Sequence, residues 1–560
     1  MSIFSKCILI ILLPAFLYGA SPDPVRGKNG MVVSAHELAS LVGVDILKKG
    51  GNAVDAAVAV GFALAVTYPS AGNIGGGGFF VISLPNGEST TIDFREKAPA
   101  ATNAKIFLDE TGKFIENLSQ TGMTSSGVPG TVAGMIYALQ KYGKLSLSEV
   151  IQPAIDLAEN GFVVGYRMAN SINHYNETFN KYKSSKNIFT IDGNKIPDDY
   201  VFIQKDLAST LKEIKLNGRD GFYKGKVAEL IVKQTEQFNG YISLEDLENY
   251  QPVERKPIIG TYKGYKIISM GPPSSGGIAI MQALNILEKL KLEPDSWGSS
   301  NYYHKLVETL KYVYADRSKY LGDEDFFPVP KEWLTSKEYA ETISNNITDL
   351  VIPSDEILPG KYENKESKET THYNVMDNSG MIVSATVTIN SSYGNRIVVD
   401  GAGFLMNNEM DDFSAKPGEP NQYGLLGSEA NSIQPGKRML SAMSPTIILK
   451  NNKPWLAIGS PGGSTIITVV LQVILNCIEF NMDIQEAIDA PRIHHQWYPD
   501  EIVFEKFSLV NDVFNNLTKQ GYKFGTQTEL GRAEGIIYDF EKKLFFGASD
   551  PRGYGKAVGY

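Results

Sequence analysis

The sequence predicts an α+β fold in which antiparallel hairpins form a sheet-on-sheet core under outer helix layers. Three observations predict it. Two apolar helical stretches precede a hairpin that turns at Asn86-Gly87. A second hairpin, turning at Asn378-Ser379-Gly380, follows a polar linker. A third strand pair ends in the glycine turn Pro461-Gly462-Gly463, which opens a long apolar helix. The 560 residues supply chain for several average domains or fewer large ones. At 42% hydrophobic and 21% charged, the composition is that of a globular protein with ample core material.

The elements follow in order. His36 to Lys49 has helical spacing and stops at Gly50-Gly51. Asn52 caps a second helix that runs to about Ala65. Gly75 to Gly78 leads into a strand, Phe79 to Leu84, and the chain returns as Thr90 to Phe94. From about residue 100 to 350 the chain reads as mostly helical, with periodic stretches at Ser148 to Asn160, Leu207 to Leu216 and Tyr302 to Tyr320. Ser148 stands where a cap for the first of these belongs. Met270 to Leu287 reads as a turn entering a helix at Gly276-Gly277. Pro359 to Thr371 is charge-rich, lacks periodicity and is the best linker in the chain. Strands are then expected at His372 to Asp377, Met381 to Ile389, Pro445 to Lys450 and Trp455 to Ile458. A helix follows from Ser464 to about Phe480.

Composition excludes several function classes. Lys and Arg total 53 against 63 Asp and Glu, a net charge of −10, so the basic footprint of a nucleic-acid binder is missing. Residues 1–20 read as an export signal: Lys6 is the positive start, Cys7 to Tyr18 the apolar run, and Gly19-Ala20 the small residues before the cut. A membrane anchor would need about 20 apolar residues. Removal of that signal leaves Cys477 as the sole cysteine, which rules out an internal disulfide. Cys477 lies in a continuous apolar stretch and reads as core filler. The six histidines form no i, i+4 pair of the HExxH kind, so no metal is implied.

One chemical reading survives. A solvated linker runs straight into a strand that begins Thr370-Thr371. Cleavage before Thr370 would leave a free α-amine, with a pKa near 8, beside that residue's own hydroxyl, and so supply a base without His or Asp. The hairpin register makes this geometric. If Asn378-Ser379-Gly380 is a three-residue loop with Gly in the left-handed conformation, Asp377 faces Met381 and Thr370 comes opposite Thr388, within reach of a hydroxyl–hydroxyl bond. Threonine is also common in strands by propensity alone. Gly462 and Gly463, between a strand and a helix that Ser464 could cap, would present two backbone N–H groups as an oxyanion hole; a plain tight turn has the same sequence. Neither this turn nor Gly75 to Gly78 has the context of a phosphate-binding loop.

The chain resembles the γ-glutamyltranspeptidases (glutathione hydrolases) of the N-terminal-nucleophile (Ntn) hydrolase superfamily, over nearly its whole length after the signal. The resemblance rests on NIGGGGF (Asn73 to Phe79), DFREKAP (Asp93 to Pro99), YADRSKYLGD (Tyr314 to Asp323), TTHYNV (Thr370 to Val375), NNEMDDFS (Asn407 to Ser414), SPGGS (Ser460 to Ser464) and APRIHHQW (Ala490 to Trp497). It implies a four-layer αββα sandwich built jointly by both fragments of a precursor that cuts itself at Glu369-Thr370. The large fragment would span residues 21–369 and the small one 370–560.

By the same resemblance Thr370 attacks a γ-glutamyl amide, the N–H groups of Gly462 and Gly463 hold the oxyanion, and Thr388 orients the hydroxyl. Arg95 and Ser441 would bind the substrate carboxylate; Asn390, Glu409 and Asp412 would accept from its α-ammonium. Tyr423 matches a lid residue, and Arg492 would lie near the acceptor side. From the residues alone, Arg95 could instead pair with Asp93 or Glu96, and the Glu409 to Asp412 group could be a solvated turn. The family usually has two consecutive serines where this chain has Ser441-Ala442, a loss of one contact of about 0.5–1.5 kcal/mol; Met439 replaces a usual proline. No cofactor is implied. The partners are glutathione and related donors, amino-acid or dipeptide acceptors, and the two fragments for each other; pairing of such heterodimers is left open. The location is periplasmic or secreted. Two other readings stand beside this one: a related acylase for another amide such as a β-lactam side chain, and a non-catalytic periplasmic amino-acid-binding protein.

Overall fold

The computed structural model describes residues 21–358, 370–414 and 428–560. The expected signal, the linker residues 359–369 with Glu369, and Tyr423 lie outside the described residues. Among those described, no helix is long and apolar enough to cross a membrane.

Among the described residues, fourteen strands form two seven-stranded sheets. In chain order they are β1 (Val25–Gly27), β2 (Gly30–Ser34), β3 (Gly77–Ser83), β4 (Ser89–Asp93), β5 (Val253–Arg255), β6 (Ile258–Tyr262), β7 (Tyr265–Ser269), β8 (Thr371–Asp377), β9 (Ile382–Thr388), β10 (Thr446–Lys450), β11 (Lys453–Gly459), β12 (Glu534–Asp539), β13 (Leu544–Ser549) and β14 (Lys556–Gly559). One sheet has the order β1-β13-β12-β11-β10-β7-β6, the other β14-β2-β8-β9-β3-β4-β5. Every pairing within them is antiparallel. The fold is therefore mixed α/β with antiparallel sheets.

Alternation along the second sheet divides its two faces. Val32, Phe80, Ile82, Tyr373, Val375, Val383 and Ala385 belong to a core shared with helices α1 (Glu37–Lys48) and α2 (Ala53–Thr67). Met31, Val33, Phe79, Val81, Met376 and Ile382 belong to a second core with Ile447, Leu456 and Ile458 of the first sheet. The four strands β2, β3, β8 and β9 are buried on both faces, whereas β4, β5 and β14 are partly open. Helices α3 (Gly276–Leu290), α4 (Ser300–Tyr320) and α5 (Thr465–Ile478) add their apolar sides to that second core. All fifteen residues of α2 are buried, which explains its lack of a polar face. Asn52 starts it with a full capping box: its side chain accepts from Val54 N and Asp55 N while Asp55 receives the Asn52 amide.

Several sequence expectations are corrected. Residues 253–269, inside the stretch read as helical, carry three strands. The helix expected from Ser148 is Leu147–Asn160, capped by Ser146 through a box with Glu149. Ser464 is the residue before α5 but does not cap it with its side chain; its hydroxyl donates to Gln496 Oε1 at 2.6 Å.

Candidate active site

The hairpin of β8 and β9 sets the first half of the site. Asp377 N donates to Met381 O at 3.2 Å, Gly380 has φ +86°, and the ladder runs from Met376↔Ile382 to Thr371↔Val387. This is the register that the three-residue loop predicts. Pairing stops at Thr371, one residue short of Thr370. No hydrogen bond joins the hydroxyls of Thr370 and Thr388 among the described residues. Thr388 Oγ1 instead accepts from Asn390 N at 2.7 Å, holding Asn390 at φ +71°.

The second half is the turn after β11. Gly462 N donates to Thr370 Oγ1 at 3.4 Å, and Thr370 is 4% exposed. Gly462 has φ +137°, and a Cβ there would stand 2.5 Å from Thr465 Oγ1; Gly463 has φ +56°. Both conformations favour glycine. Thr465 seals the turn by donating from N and Oγ1 to Gly462 O at 3.1 and 2.7 Å. Tyr314 OH donates to Ser464 O at 2.5 Å, which ties the turn to α4. Beneath it, Arg532 N donates to Ser460 Oγ at 3.0 Å, and Gly531 leaves room for that hydroxyl.

The glycine run Gly75 to Gly78 works by close approach. A Cβ on Gly76 would lie 2.1 Å from Thr388 O, on Gly77 2.4 Å from Glu96 Oε2, and on Gly78 2.4 Å from Thr386 O. Asn73 Nδ2 donates to Thr388 O at 2.9 Å, so the run clamps the end of β9.

Next to this lies a buried charge cluster. Arg95 is 1% exposed and donates to Glu409 Oε1 and Asp412 Oδ2. The carbonyls of Met439 and Leu440 accept from the same guanidinium, each at 3.3 Å. The side-chain identity at position 439 is therefore immaterial to that contact. Asp93, the alternative partner, is taken by Arg255 Nε at 2.8 Å and Arg438 Nε at 3.3 Å. Glu409 is buried in the short helical turn Glu409–Asp412, so this acidic group is not a solvated surface turn. The Asp412 side chain keeps 16% exposure and is the open end of the cluster.

Three carboxyls share this one guanidinium. Burial opposes the charge on Arg95, but Glu409, Asp412 and Glu96 outweigh it and raise its pKa further. Burial lifts Glu409 well above the ordinary carboxylate range and Asp412 upward, against the pull of Arg95. Glu96, fully buried and 3.7 Å from Arg95, is pushed up to about 8 by burial. Among the described residues, neither Glu96 oxygen nor Glu409 Oε2 has a hydrogen-bond partner. Sequence reading took Glu96 only as a pairing option; the signal for it is Gly77, whose missing side chain gives the carboxyl its space.

Asn390 Nδ2 donates to Asn408 O at 2.9 Å. Ser441 Oγ accepts Met443 N at 3.1 Å, which leaves its own proton to donate. Arg492, expected near the acceptor side, pairs with Asp550 at 2.8 Å, donates to Leu530 O at 2.7 Å and is 1% exposed.

The gamma-glutamyltranspeptidase family model matches residues 39–560. A glutathione hydrolase proenzyme of Escherichia coli (strain K12) is 49% identical, with 96% of this chain and 93% of that protein covered. The glutathione hydrolase proenzyme of Bacillus subtilis (strain 168) is 40% identical over 95% and 92%. Among solved structures, cephalosporin acylase from Bacillus halodurans superposes with TM-score 0.87 at 27% identity over 99% of both chains. Helicobacter pylori gamma-glutamyltranspeptidase gives 0.58 at 50% identity, covering 58% of this chain and 94% of that one. The motif residues, the glycine turn beside Thr370 and a family match that takes in all of them give one conclusion: the chain belongs to the gamma-glutamyltranspeptidase family.

Proposed function

We propose that this chain is a self-processing γ-glutamyltranspeptidase and glutathione hydrolase whose nucleophile is Thr370. The observation that carries the reading is the hydroxyl of Thr370 held at the unpaired start of β8 against the amide of Gly462. In the precursor, Thr370 Oγ attacks the carbonyl of Glu369, the chain shifts from amide to ester, and water opens the ester. Residues 21–369 and 370–560 then form the large and small fragments, with residues 1–20 removed as an export signal that leads to the periplasm or medium.

The freed α-amine takes the hydroxyl proton as Oγ attacks the γ-carbonyl of glutathione or another γ-glutamyl amide. The amides of Gly462 and Gly463 stabilise the oxyanion; such donors are worth about 2.7–4 kcal/mol each. The leaving amine departs with that proton and a γ-glutamyl ester stays on Thr370. Water yields glutamate; an amino acid or dipeptide amine yields a new γ-glutamyl amide. Arg95 and Ser441 receive the α-carboxylate, while Glu409, Asp412 and Asn390 receive the α-ammonium. Glu409 Oε2, without a hydrogen-bond partner among the described residues, supports this assignment. Tyr423 serves as lid. The packing of both sheets between helices supports the αββα arrangement, shared by the two fragments.

An acylase reading draws on the cephalosporin acylase superposition. The cluster around Arg95 favours a zwitterionic amino-acid acyl group over a side chain without an α-ammonium. Intact mass and N-terminal sequencing of purified protein test the proposal: two fragments are expected, the smaller beginning at Thr370, with turnover of a γ-glutamyl anilide. A Thr370→Ala chain that still divides, or a single wild-type chain that is fully active, overturns it.

A further inference from the structure

We infer a second ligand site, for an amphipathic organic anion, at the end of the inter-sheet layer remote from Thr370. A cavity of about 430 Å³ opens there, within the size range of small-molecule pockets. β8 carries the chain from Thr370 to Asp377, roughly 20 Å at the rise of a strand, so the site lies well away from the nucleophile.

Its floor is apolar and belongs to both sheets. Met376, Met381 and Ile382 come from the β8–β9 hairpin, Pro454 from β11, and Tyr538, Phe540 and Phe545 from the β12–β13 hairpin. Tyr538 lies between the two phenylalanines, with ring centroids 5.4 Å from Phe540 and 4.8 Å from Phe545. Flat rings and thioethers of this kind receive an aromatic or compact aliphatic body.

Its rim is cationic. Lys28, Lys453 and Lys543 reach it from three different turns, in a chain whose net charge is −10. None of the three forms an ion pair among the described residues. Adjacent Lys542, by contrast, is engaged by Asp539 at 3.3 Å. Among the described residues Asp377 is the one acidic lining residue, and its charge is turned inward: Ala53 N donates to Oδ2 at 2.8 Å, and Ser379 N and Oγ donate to Oδ1 at 2.8 and 2.5 Å. An apolar floor under three uncommitted ammonium groups fits a hydrophobic body bearing one carboxylate or sulfonate. Lys28 precedes Thr370 and every other described lining residue follows it, so an occupant would touch both fragments of a cleaved chain.

The test is calorimetric titration of the purified, full-length processed protein with 2-naphthalenesulfonate. Saturable binding to a single site is expected, unchanged by excess glutamate. Reversing two rim charges (Lys453→Glu with Lys543→Glu) should weaken it roughly tenfold or more, and the Gln pair by less. The neutral 2-naphthalenemethanol should bind several-fold more weakly, and amide turnover of both variants should match wild type. Absence of saturable binding, equal affinity in the charge-reversed variant, or displacement by glutamate overturns the inference.

Discussion

The amide of Gly462 donates to the hydroxyl of Thr370 at 3.4 Å, across 92 positions of sequence. The φ of +137° and the 2.5 Å approach of a would-be Cβ to Thr465 Oγ1 make Gly462 intolerant of any side chain. Gly462→Ala keeps the N–H but forces the turn to shift it out of place, and should lower kcat by up to about 10²–10³, the size of one missing oxyanion donor, with little change in KM. Steady-state kinetics check this; equal losses in binding and turnover would point to general disruption instead.

Arg95 bridges Glu409 and Asp412 with two in-plane donors. Arg95→Lys keeps the charge but loses the fork. KM for a γ-glutamyl donor should rise roughly ten- to a hundredfold, since hydrogen bonds to charged groups are worth about 1.5–3 kcal/mol. A donor lacking the α-carboxylate should be far less affected, which separates recognition from folding.

Glu96 gives a pH signature. Burial raises its carboxyl from 4.5 to about 8. Between those values the folded chain keeps a proton that the unfolded chain has released. That contribution to stability is whole below 4.5 and falls as pH rises toward 8. Glu96→Gln removes the titration, so its melting temperature relative to wild type should climb across that window. Parallel melting curves from pH 4.5 to 8 would show that Glu96 is ionised throughout.

Arg492 is buried against Asp550. Arg492→Met removes one of the two arginines paired with Asp550, Arg552 remaining at 2.9 Å, and should destabilise the fold by about 1.5–3 kcal/mol. Denaturant unfolding checks the loss. A variant of unchanged stability but altered acceptor use would restore the sequence-based placement.

Burial pushes the Cys477 thiol far above its ordinary value. A thiol-selective reagent at neutral pH should leave the Cys477 peptide unmodified in the native protein and label it only after denaturation, as read by mass spectrometry.

Local signals were legible in the sequence where the chemistry is short-range. The Asn378-Ser379-Gly380 loop specified the pairing of β8 with β9 residue for residue, and Asn52 announced the start of α2. What failed depends on distant partners. Ser464 looks like a cap until Gln496 arrives from another segment to take its hydroxyl. The strands of residues 253–269 carry polar residues on open faces and only find their apolar neighbours across β10 and β4. Glu96 could be seen as an acid, but not as one without a hydrogen-bond partner, because that follows from its packing against Gly77.

The strand orders have a kinetic consequence. In each sheet, strands from before and after Thr370 are hydrogen-bonded neighbours: β2 lies between β14 and β8, and β10 beside β7. An intact precursor finds these partners within one molecule, at a rate independent of dilution. Once the chain is severed, renaturation requires an encounter between two polypeptides and becomes second order in protein, so maturation would turn a reversible folder into one that, once unravelled in a dilute medium, rarely reassembles.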